Sequence, residues 1–173
     1  MKKGPRGFSL IELLIVVAII LIIAAIAIPN LLRSRIAANQ ASAVGSLRTL
    51  NTAEVTYSTT YNTGYSASLA CLGPASAGST ASPTASAAGL IDEVLSGTGA
   101  ATPVTNTSSK SGYTFVYSPA GADTTGKIDY YSFTASPVSA GTTGTNFYYT
   151  DQSGVIRQNS TATAGSSDSP LAG

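Results

Sequence analysis

The chain has 173 residues, a single cysteine and no histidine, and its formal net charge is +1. The length allows one domain, or one small domain with a membrane segment. The near-zero charge removes the electrostatic basis for nucleic-acid binding, and one cysteine excludes an internal disulfide. Without histidine, a zinc site or a histidine-based catalytic triad is disfavoured. We therefore expect a protein that is not an enzyme and needs no cofactor.

The N-terminus combines a short basic leader with a membrane-length apolar segment. Three basic side chains lie within residues 1–7, and residues 8–28 carry only Ser9 and Glu12 as polar side chains. At about 1.5 Å per residue, a helix over residues 8–28 spans roughly 32 Å, close to the hydrocarbon thickness of a bilayer. The basic leader favours a cytoplasmic N-terminus, which would place the rest of the chain across the membrane.

Glu12 is the unusual residue of this segment. A carboxylate costs on the order of 3 kcal/mol at the centre of a membrane helix and less near the end. Three interpretations are open: a secretory signal peptide with its A-x-A site at Ala25–Ala27, a plain anchor whose Glu12 reaches the interface, or a segment that uses Glu12 for assembly in the membrane. Because a carboxylate in an apolar helix is costly, we expect Glu12 to have a use, which favours assembly.

The sequence Gly7-Phe-Ser-Leu-Ile-Glu12, followed by an apolar helix and Pro29, resembles the N-terminus of type IV prepilins and pseudopilins, most of all that of a type IVa major pilin. The resemblance implies that prepilin peptidase cuts between Gly7 and Phe8, and that Phe8 is then N-methylated. It also implies that Glu12 directs subunit docking and axial register, and that the helix kinks or melts at Pro29.

The same resemblance implies an α+β pilin fold: a long N-terminal helix, transmembrane in its first half, packed on a small antiparallel sheet of three or four strands. It implies a structural subunit that polymerises with identical subunits, with the help of the pilus assembly machinery. The precursor would lie in the inner membrane and the product in an extracellular filament for adhesion, motility or DNA uptake. The alternatives are a major pseudopilin of a type II secretion system and a membrane-tethered binding protein that never polymerises.

The first part of the chain divides into a leader (1–7), a transmembrane and filament-core helix (8–29) and an amphipathic helix half (30–61). Apolar side chains recur at helical spacings in the last of these, and the polar residues Gln40 and Glu54 interrupt their stripe. The stripe consists of Leu32, Ile36, Ala43, Leu47, Leu50, Tyr57 and Tyr61. The sequence Asn62-Thr-Gly64 is a plausible helix stop.

The rest of the chain is predicted to comprise a variable loop region (62–110), an antiparallel sheet (111–157) and an extended, Ser/Thr-rich tail (158–173). Within the loop region, residues 89–95 form a helical turn at best. Alternating aromatic and smaller residues predict strands. The predicted strands are residues 112–117, 130–135, 146–150 and 155–157. Pro119 is expected to end the first strand, and residues 151–154 form a turn before the last. The segment Asp151–Arg157 also resembles the last hairpin of pilins and major pseudopilins.

The remaining candidate sites are weak. Asp151 could ligate a metal, but an aspartate that stabilises its own turn is favoured. Asp92 and Glu93 are interpreted as a solvated edge. Cys71 could bridge subunits, and the favoured alternative is a small buried side chain. Because no aromatic residue lies between Phe8 and the later tyrosines, we expect the tyrosines to form the core of the sheet and its polar rim, and no electron path along the helix.

Overall fold

The computed structural model describes residues 8–76, 78–99 and 106–171, and the chain forms two compact units that divide after Arg35. The first helix, α1 (Leu10–Tyr61), contains Pro29 and ends where the sequence predicts. Asn62 adopts a positive φ of 54° and its N–H donates to the carbonyl of Ser58 at 3.1 Å. An asparagine in the left-handed region is a common helix terminator, so the predicted stop is confirmed.

The part of α1 that belongs to the second unit buries one face against the sheet. The buried apolar side chains of this face are Ala43, Val44, Leu47, Leu50, Ala53 and Tyr57. The predicted stripe is thus confirmed in its middle. Leu32, which belongs to the first unit, is exposed. The two polar residues of the stripe also belong to this face. Glu54 is fully buried, and the side chain of Gln40 is within hydrogen-bond distance of the Thr145 hydroxyl.

The sheet has five antiparallel strands that follow one another in space as in sequence. The strands are β1 (Thr107–Lys110), β2 (Tyr113–Ala122), β3 (Ile128–Pro137), β4 (Phe147–Asp151) and β5 (Arg157–Asn159). The α+β class is confirmed, but the expected count of three or four strands is wrong. The additional strand is β1, whose sequence Thr-Ser-Ser-Lys has no apolar side chain. It therefore lacks the alternation by which strands are recognised.

The region predicted as loop, 62–110, contains further short elements. These are α2 (Leu69–Leu72) and α3 (Glu93–Ser96), in addition to β1. Each helix is a single turn, too short to show the helical spacing of apolar residues over several turns. Leu69, Leu72 and Leu95 are buried, so these turns close one side of the core.

Strand β2 continues past Pro119, where the sequence predicts its end. Pro119 lies opposite Tyr131 of β3. The N–H of Tyr117 donates to the carbonyl of Asn106, on the β1 side. Because residues two apart in a strand point the same way, the nitrogen of Pro119 also faces the β1 side. The missing donor therefore removes no hydrogen bond to β3, which is how a strand tolerates proline.

The C-terminal tail is not simply extended, contrary to the prediction for residues 158–173. It folds back along β5, where the N–H of Gln158 donates to the carbonyl of Ser169 at 3.0 Å. The carboxylate of Asp168 accepts from the side chain of Asn159 at 2.9 Å and from the N–H of Gly165 at 2.8 Å. These bonds close the tail into a loop against the outer edge of β5.

The core between helix and sheet is aromatic. The inward side chains of the sheet are Tyr113, Phe115, Tyr117, Tyr131, Phe133, Ala135, Tyr148 and Thr150. Buried tyrosine hydroxyls find polar partners: that of Tyr113 donates to the carbonyl of Asn146 at 2.8 Å. Gly144 lies directly against the Tyr113 hydroxyl, so that a Cβ atom at position 144 would overlap this hydroxyl. The interpretation of the tyrosines as sheet core is confirmed.

Candidate functional site

The first unit presents an apolar helical surface. Among the described residues, α1 is the helix long and apolar enough to cross a membrane, and none of its apolar window is buried. The large apolar side chains of α1 within the first unit are exposed, as Leu10 and Leu21 illustrate. A signal sequence near an N-terminus has the same length and composition. The surface therefore requires an apolar environment without specifying which one.

The start of α1 engages Glu12 with its own backbone. The N–H of Ser9 donates to Glu12 Oε2 at 2.9 Å, and the N–H of Leu13 donates to the carbonyl of Ser9 at 3.2 Å. Ser9 thus occupies the N-cap position and Glu12 the third position of the helix, which is one half of a capping box. A carboxylate in the first turn also complements the helix dipole.

This geometry leaves Glu12 able to bind a second donor. A carboxylate offers two oxygens with about four lone-pair sites, and the Ser9 N–H occupies one of them. Glu12 and Phe8 are both exposed, Phe8 to 76%. An amine brought to this end of the helix could therefore pair with Glu12 without displacing the cap.

The other predicted residues of this site are placed as follows. Gly7 lies outside the described residues, and Phe8 is the first described residue. Pro29 lies inside α1, with helix on both sides. Because proline has no N–H, the carbonyl of Ala25 lacks its usual helical donor. The kink at Pro29 stays a prediction.

Asp151 stabilises a turn. Its Oδ1 accepts from the N–H of Ser153 at 2.9 Å, and its carbonyl accepts from the N–H of Gly154 at 2.9 Å. This arrangement is the one favoured from the sequence. In the part of the chain that the structure describes, no three acidic or cysteine side chains come together in a way that could hold a metal ion.

Asp92 has a defined role that the solvated-edge interpretation misses. Its Oδ1 accepts from the N–H groups of Val94 and Leu95 at the start of α3, and its Oδ2 lies 2.7 Å from the Lys110 ammonium. Partial burial raises the pKa of Asp92, but the lowering by Lys110 and by these N–H groups outweighs it. An aspartate directly before a helical turn that ends at Gly97 was the available signal.

Cys71 is partly buried and packs against the core. Its Sγ lies 3.2 Å from the hydroxyl oxygen of Ser68. This environment is intermediate between the two uses considered from the sequence, a buried apolar residue and an exposed bridge between subunits.

Comparison with known proteins finds similarities over a part of the chain. Residues 2–28 match the family described as the prokaryotic N-terminal methylation motif. The type IV major pilin protein PilA of Myxococcus xanthus is 52% identical over 52 residues, which are 30% of this chain and 24% of that protein. The type IV wide pilus major component PilA4 of Thermus thermophilus is 62% identical over 37 residues, 21% of this chain and 28% of that protein.

The matches are confined to one part of each protein, and the matched segments span about a quarter of each relative's length. No solved structure gives a significant match. The methylation motif includes the predicted cleavage site and the apolar helix to residue 28. These findings show that the chain is similar to type IV pilins over a part of its length, which for the methylation motif is residues 2–28.

Proposed function

We propose that this chain, with the N-terminal segment of a type IV pilin, is the structural subunit of a type IV pilus. In this proposal prepilin peptidase removes residues 1–7, Phe8 becomes the N-methylated first residue, and the mature chain polymerises through residues 8–29. The observation that carries the proposal is the exposed apolar surface of α1 with one carboxylate in its first turn.

The apolar surface supports a sequence of two environments. Burial of apolar surface stabilises by about 25 cal/mol per Å², so a helix that exposes this much of it does not remain in water. Lipid satisfies the surface in the precursor, with the N-terminus in the cytoplasm. Identical neighbouring helices satisfy it in the filament, where the same side chains pack on one another.

Glu12 sets the axial position of one helix relative to its neighbour in that packing. Cleavage creates a cationic amine on Phe8, and methylation keeps its charge while reducing its polarity. Within one helix the two groups are four residues apart and can pair. In a bundle, the Glu12 of one subunit can pair with the Phe8 amine of its neighbour, which removes two poorly solvated charges at once and fixes the axial register. The pilus assembly machinery would then draw the subunit from the inner membrane into the extracellular filament.

The remaining segments take supporting roles in this proposal. Residues 30–61 join the filament core to the outward domain, in which the strands β1 to β5 follow the short helices α2 and α3. In this proposal the chain is a structural protein and not an enzyme.

The central experiment is N-terminal sequencing and mass analysis of fibres sheared from cells. The mature chain is expected to begin at N-methylated Phe8. A chain that begins at Met1 or at Ile28 would contradict the proposal. A matched pair of variants strengthens the result: Gly7→Val is expected to leave the leader uncut, because a branched side chain blocks the cleavage position, whereas Gly4→Val is expected to be processed normally.

Electron microscopy of the same cells separates the pilus from its alternatives. Long surface fibres that contain this chain support the pilus. A processed chain without surface fibres, together with a defect in protein secretion when the chain is deleted, would favour the major pseudopilin. A chain that is anchored but never polymeric would favour a tethered binding protein.

A further inference from the structure

A carboxyl group that forms no ion pair with any described lysine or arginine lies in the core of the second unit. Glu54, on α1, is 0% exposed, as is Ser66 in the segment that follows the helix. Glu54 Oε2 accepts from the Ser66 N–H at 2.9 Å, and Glu54 Oε1 lies 2.7 Å from Ser66 Oγ. Ser66 Oγ lies 3.2 Å from the Tyr117 hydroxyl oxygen, which donates to the Ser66 carbonyl at 2.6 Å.

The number of protons in this network decides the charge of the acid. Three contacts join oxygen to oxygen: Glu54 to Ser66 Oγ, Ser66 Oγ to Tyr117, and Tyr117 to the Ser66 carbonyl. Each hydrogen bond needs one proton, and a hydroxyl group donates only one. Ser66 and Tyr117 supply two protons. All three contacts are hydrogen bonds only when the carboxyl group of Glu54 supplies the third proton and donates to Ser66 Oγ, while Ser66 donates to Tyr117. An ionised Glu54 would accept from Ser66 Oγ and leave the 3.2 Å contact between Ser66 and Tyr117 without a proton.

The surroundings agree with a neutral acid. The titratable groups that face Glu54 are tyrosine hydroxyls: Tyr57 on α1, Tyr117 on β2 and Tyr131 on β3. Among the described residues, no lysine or arginine forms an ion pair with Glu54. An ionised carboxylate here would be buried without a counter-charge, which is strongly unfavourable. Burial raises the pKa of Glu54 and outweighs the hydrogen bonding at Ser66, which lowers it.

We propose that Glu54 is a protonated, neutral carboxylic acid at neutral pH, and that the Glu54–Ser66–Tyr117 network is an alkali-sensitive lock. The lock fastens the last turns of α1 to the segment after the helix and to β2. When base removes the proton, the O–H bond of Glu54 breaks, its electron pair stays on the carboxylate, and the proton goes to hydroxide to form water. The Ser66 hydroxyl then turns to Glu54, and its contact with Tyr117 loses its hydrogen bond.

The direction of the pH effect follows from the raised pKa. A folded-state acid with a pKa above its unfolded value of 4.5 stabilises fully below that value. The stabilisation is lost as the pH rises through the folded-state pKa. Burial also raises the pKa values of Tyr57, Tyr117 and Tyr131. These hydroxyls therefore stay neutral while Glu54 ionises, and the lock opens at Glu54 first.

The test uses the full chain in detergent micelles and infrared spectroscopy. A protonated carboxyl C=O stretching band is expected at pH 7, lost on raising the pH and absent in Glu54→Gln. The matched control Glu93→Gln, which changes a partly exposed carboxylate in the first turn of α3, is expected to keep the band. Absence of the band from the wild-type chain at pH 7 would overturn the proposal whether or not any variant folds.

Thermal unfolding from pH 6 to pH 10 provides the second readout. The wild-type midpoint is expected to fall with rising pH. Glu54→Gln should flatten this dependence, because its amide donates to Ser66 Oγ as the neutral acid does and cannot ionise. Glu93→Gln should follow the wild type. If Glu54→Gln does not fold, Ser66→Ala replaces it in the infrared experiment: a shifted band supports the lock, and an unchanged band contradicts it.

Discussion

The two units of the chain handle apolar side chains in opposite ways. The unit up to residue 35 is rich in leucine and isoleucine, and it exposes nearly all of them. The unit from Ile36 onward is rich in serine, threonine and glycine, yet it buries a core of tyrosine, phenylalanine and a few leucines. The composition of each unit therefore gives the wrong impression of which one forms its own core.

The difference shows where each unit obtains its stability. The second unit satisfies its apolar groups and its buried hydroxyls internally, as the bond from Tyr113 to the Asn146 carbonyl illustrates. In the described part of the first unit, the side-chain hydrogen bond is the one from the Ser9 N–H to Glu12, and the apolar surface must be covered by other molecules. Substitutions in the two units should consequently be read by different measurements: assembly for the first and unfolding for the second.

The largest expected effect is at Glu12. Glu12→Ala should leave membrane insertion intact and abolish or severely reduce filaments, because it removes the proposed partner of a neighbour's Phe8 amine. Glu12→Gln separates capping from charge: glutamine can still accept from the Ser9 N–H, but it carries no charge. Filament yield by shearing and electron microscopy is the measurement. Normal filaments from both variants would contradict a role of Glu12 in docking, and rescue by glutamine alone would assign its role to the cap.

Next in size is a matched leucine pair that compares the units directly. Leu50 is 0% exposed and Leu21 is 63% exposed. Leu50→Ala should lower the free energy of unfolding by about 2–5 kcal/mol, because it leaves a cavity between α1 and the sheet. Leu21→Ala should leave it within about 0.5 kcal/mol. Chemical denaturation in micelles, followed by tyrosine circular dichroism, measures both. Equal losses would show that the first unit has a core of its own.

Two glycines sharpen the comparison within the second unit. Gly144→Ala should destabilise by about 1–3 kcal/mol, because the new methyl group would overlap the Tyr113 hydroxyl. Gly45, on the exposed side of α1, has no atom near the position of a Cβ. Gly45→Ala should therefore stabilise by up to about 1 kcal/mol through helix propensity. The same denaturation experiment applies, and a stabilising Gly144→Ala would show that the tyrosine hydroxyl is free to move.

The smallest expected effect concerns Asp92. Asp92→Ala should cost about 1 kcal/mol at pH 7, mainly from the lost cap of α3, since the bond to Lys110 is half exposed. Because the pKa of Asp92 is lowered below 3.8, its contribution is present above that value and is lost as the pH falls through the folded-state pKa. The difference from wild type, measured by denaturation at pH 7 and below pH 3.8, should shrink in acid. A constant difference would assign the effect to packing.

The sequence predicted the parts of the molecule that repeat a pattern over several turns or residues. The end of α1 at Tyr61 and the strands around Phe115 and Phe133 follow from spacing and alternation. Strand β1 could not be predicted, because its hydroxyl residues have no apolar alternation and are ordered by pairing with β2. The caps at Asp92 and Glu12 had local signals, the acidic residue near a helix start, which composition alone hides.

Glu54 illustrates what a single sequence withholds. On a helical stripe it lowered the quality of an amphipathic pattern, and nothing nearby in sequence indicated a partner. Its partners are 12 residues away at Ser66 and on β2 at Tyr117. A buried acid is acceptable only when such distant groups converge on it, and their convergence is a product of the tertiary fold.

The folded tail has a consequence for copies of the chain held side by side. A bare edge strand offers free N–H and C=O groups and invites a neighbour to extend the sheet. The hydrogen bond from Gln158 to Ser169 and that from Leu171 to Ile156 occupy this side of β5 with the chain's own backbone. In the proposed filament, neighbouring subunits would therefore not extend the sheet at this edge. Contacts between the outward domains would then be made by side chains and not by paired backbones.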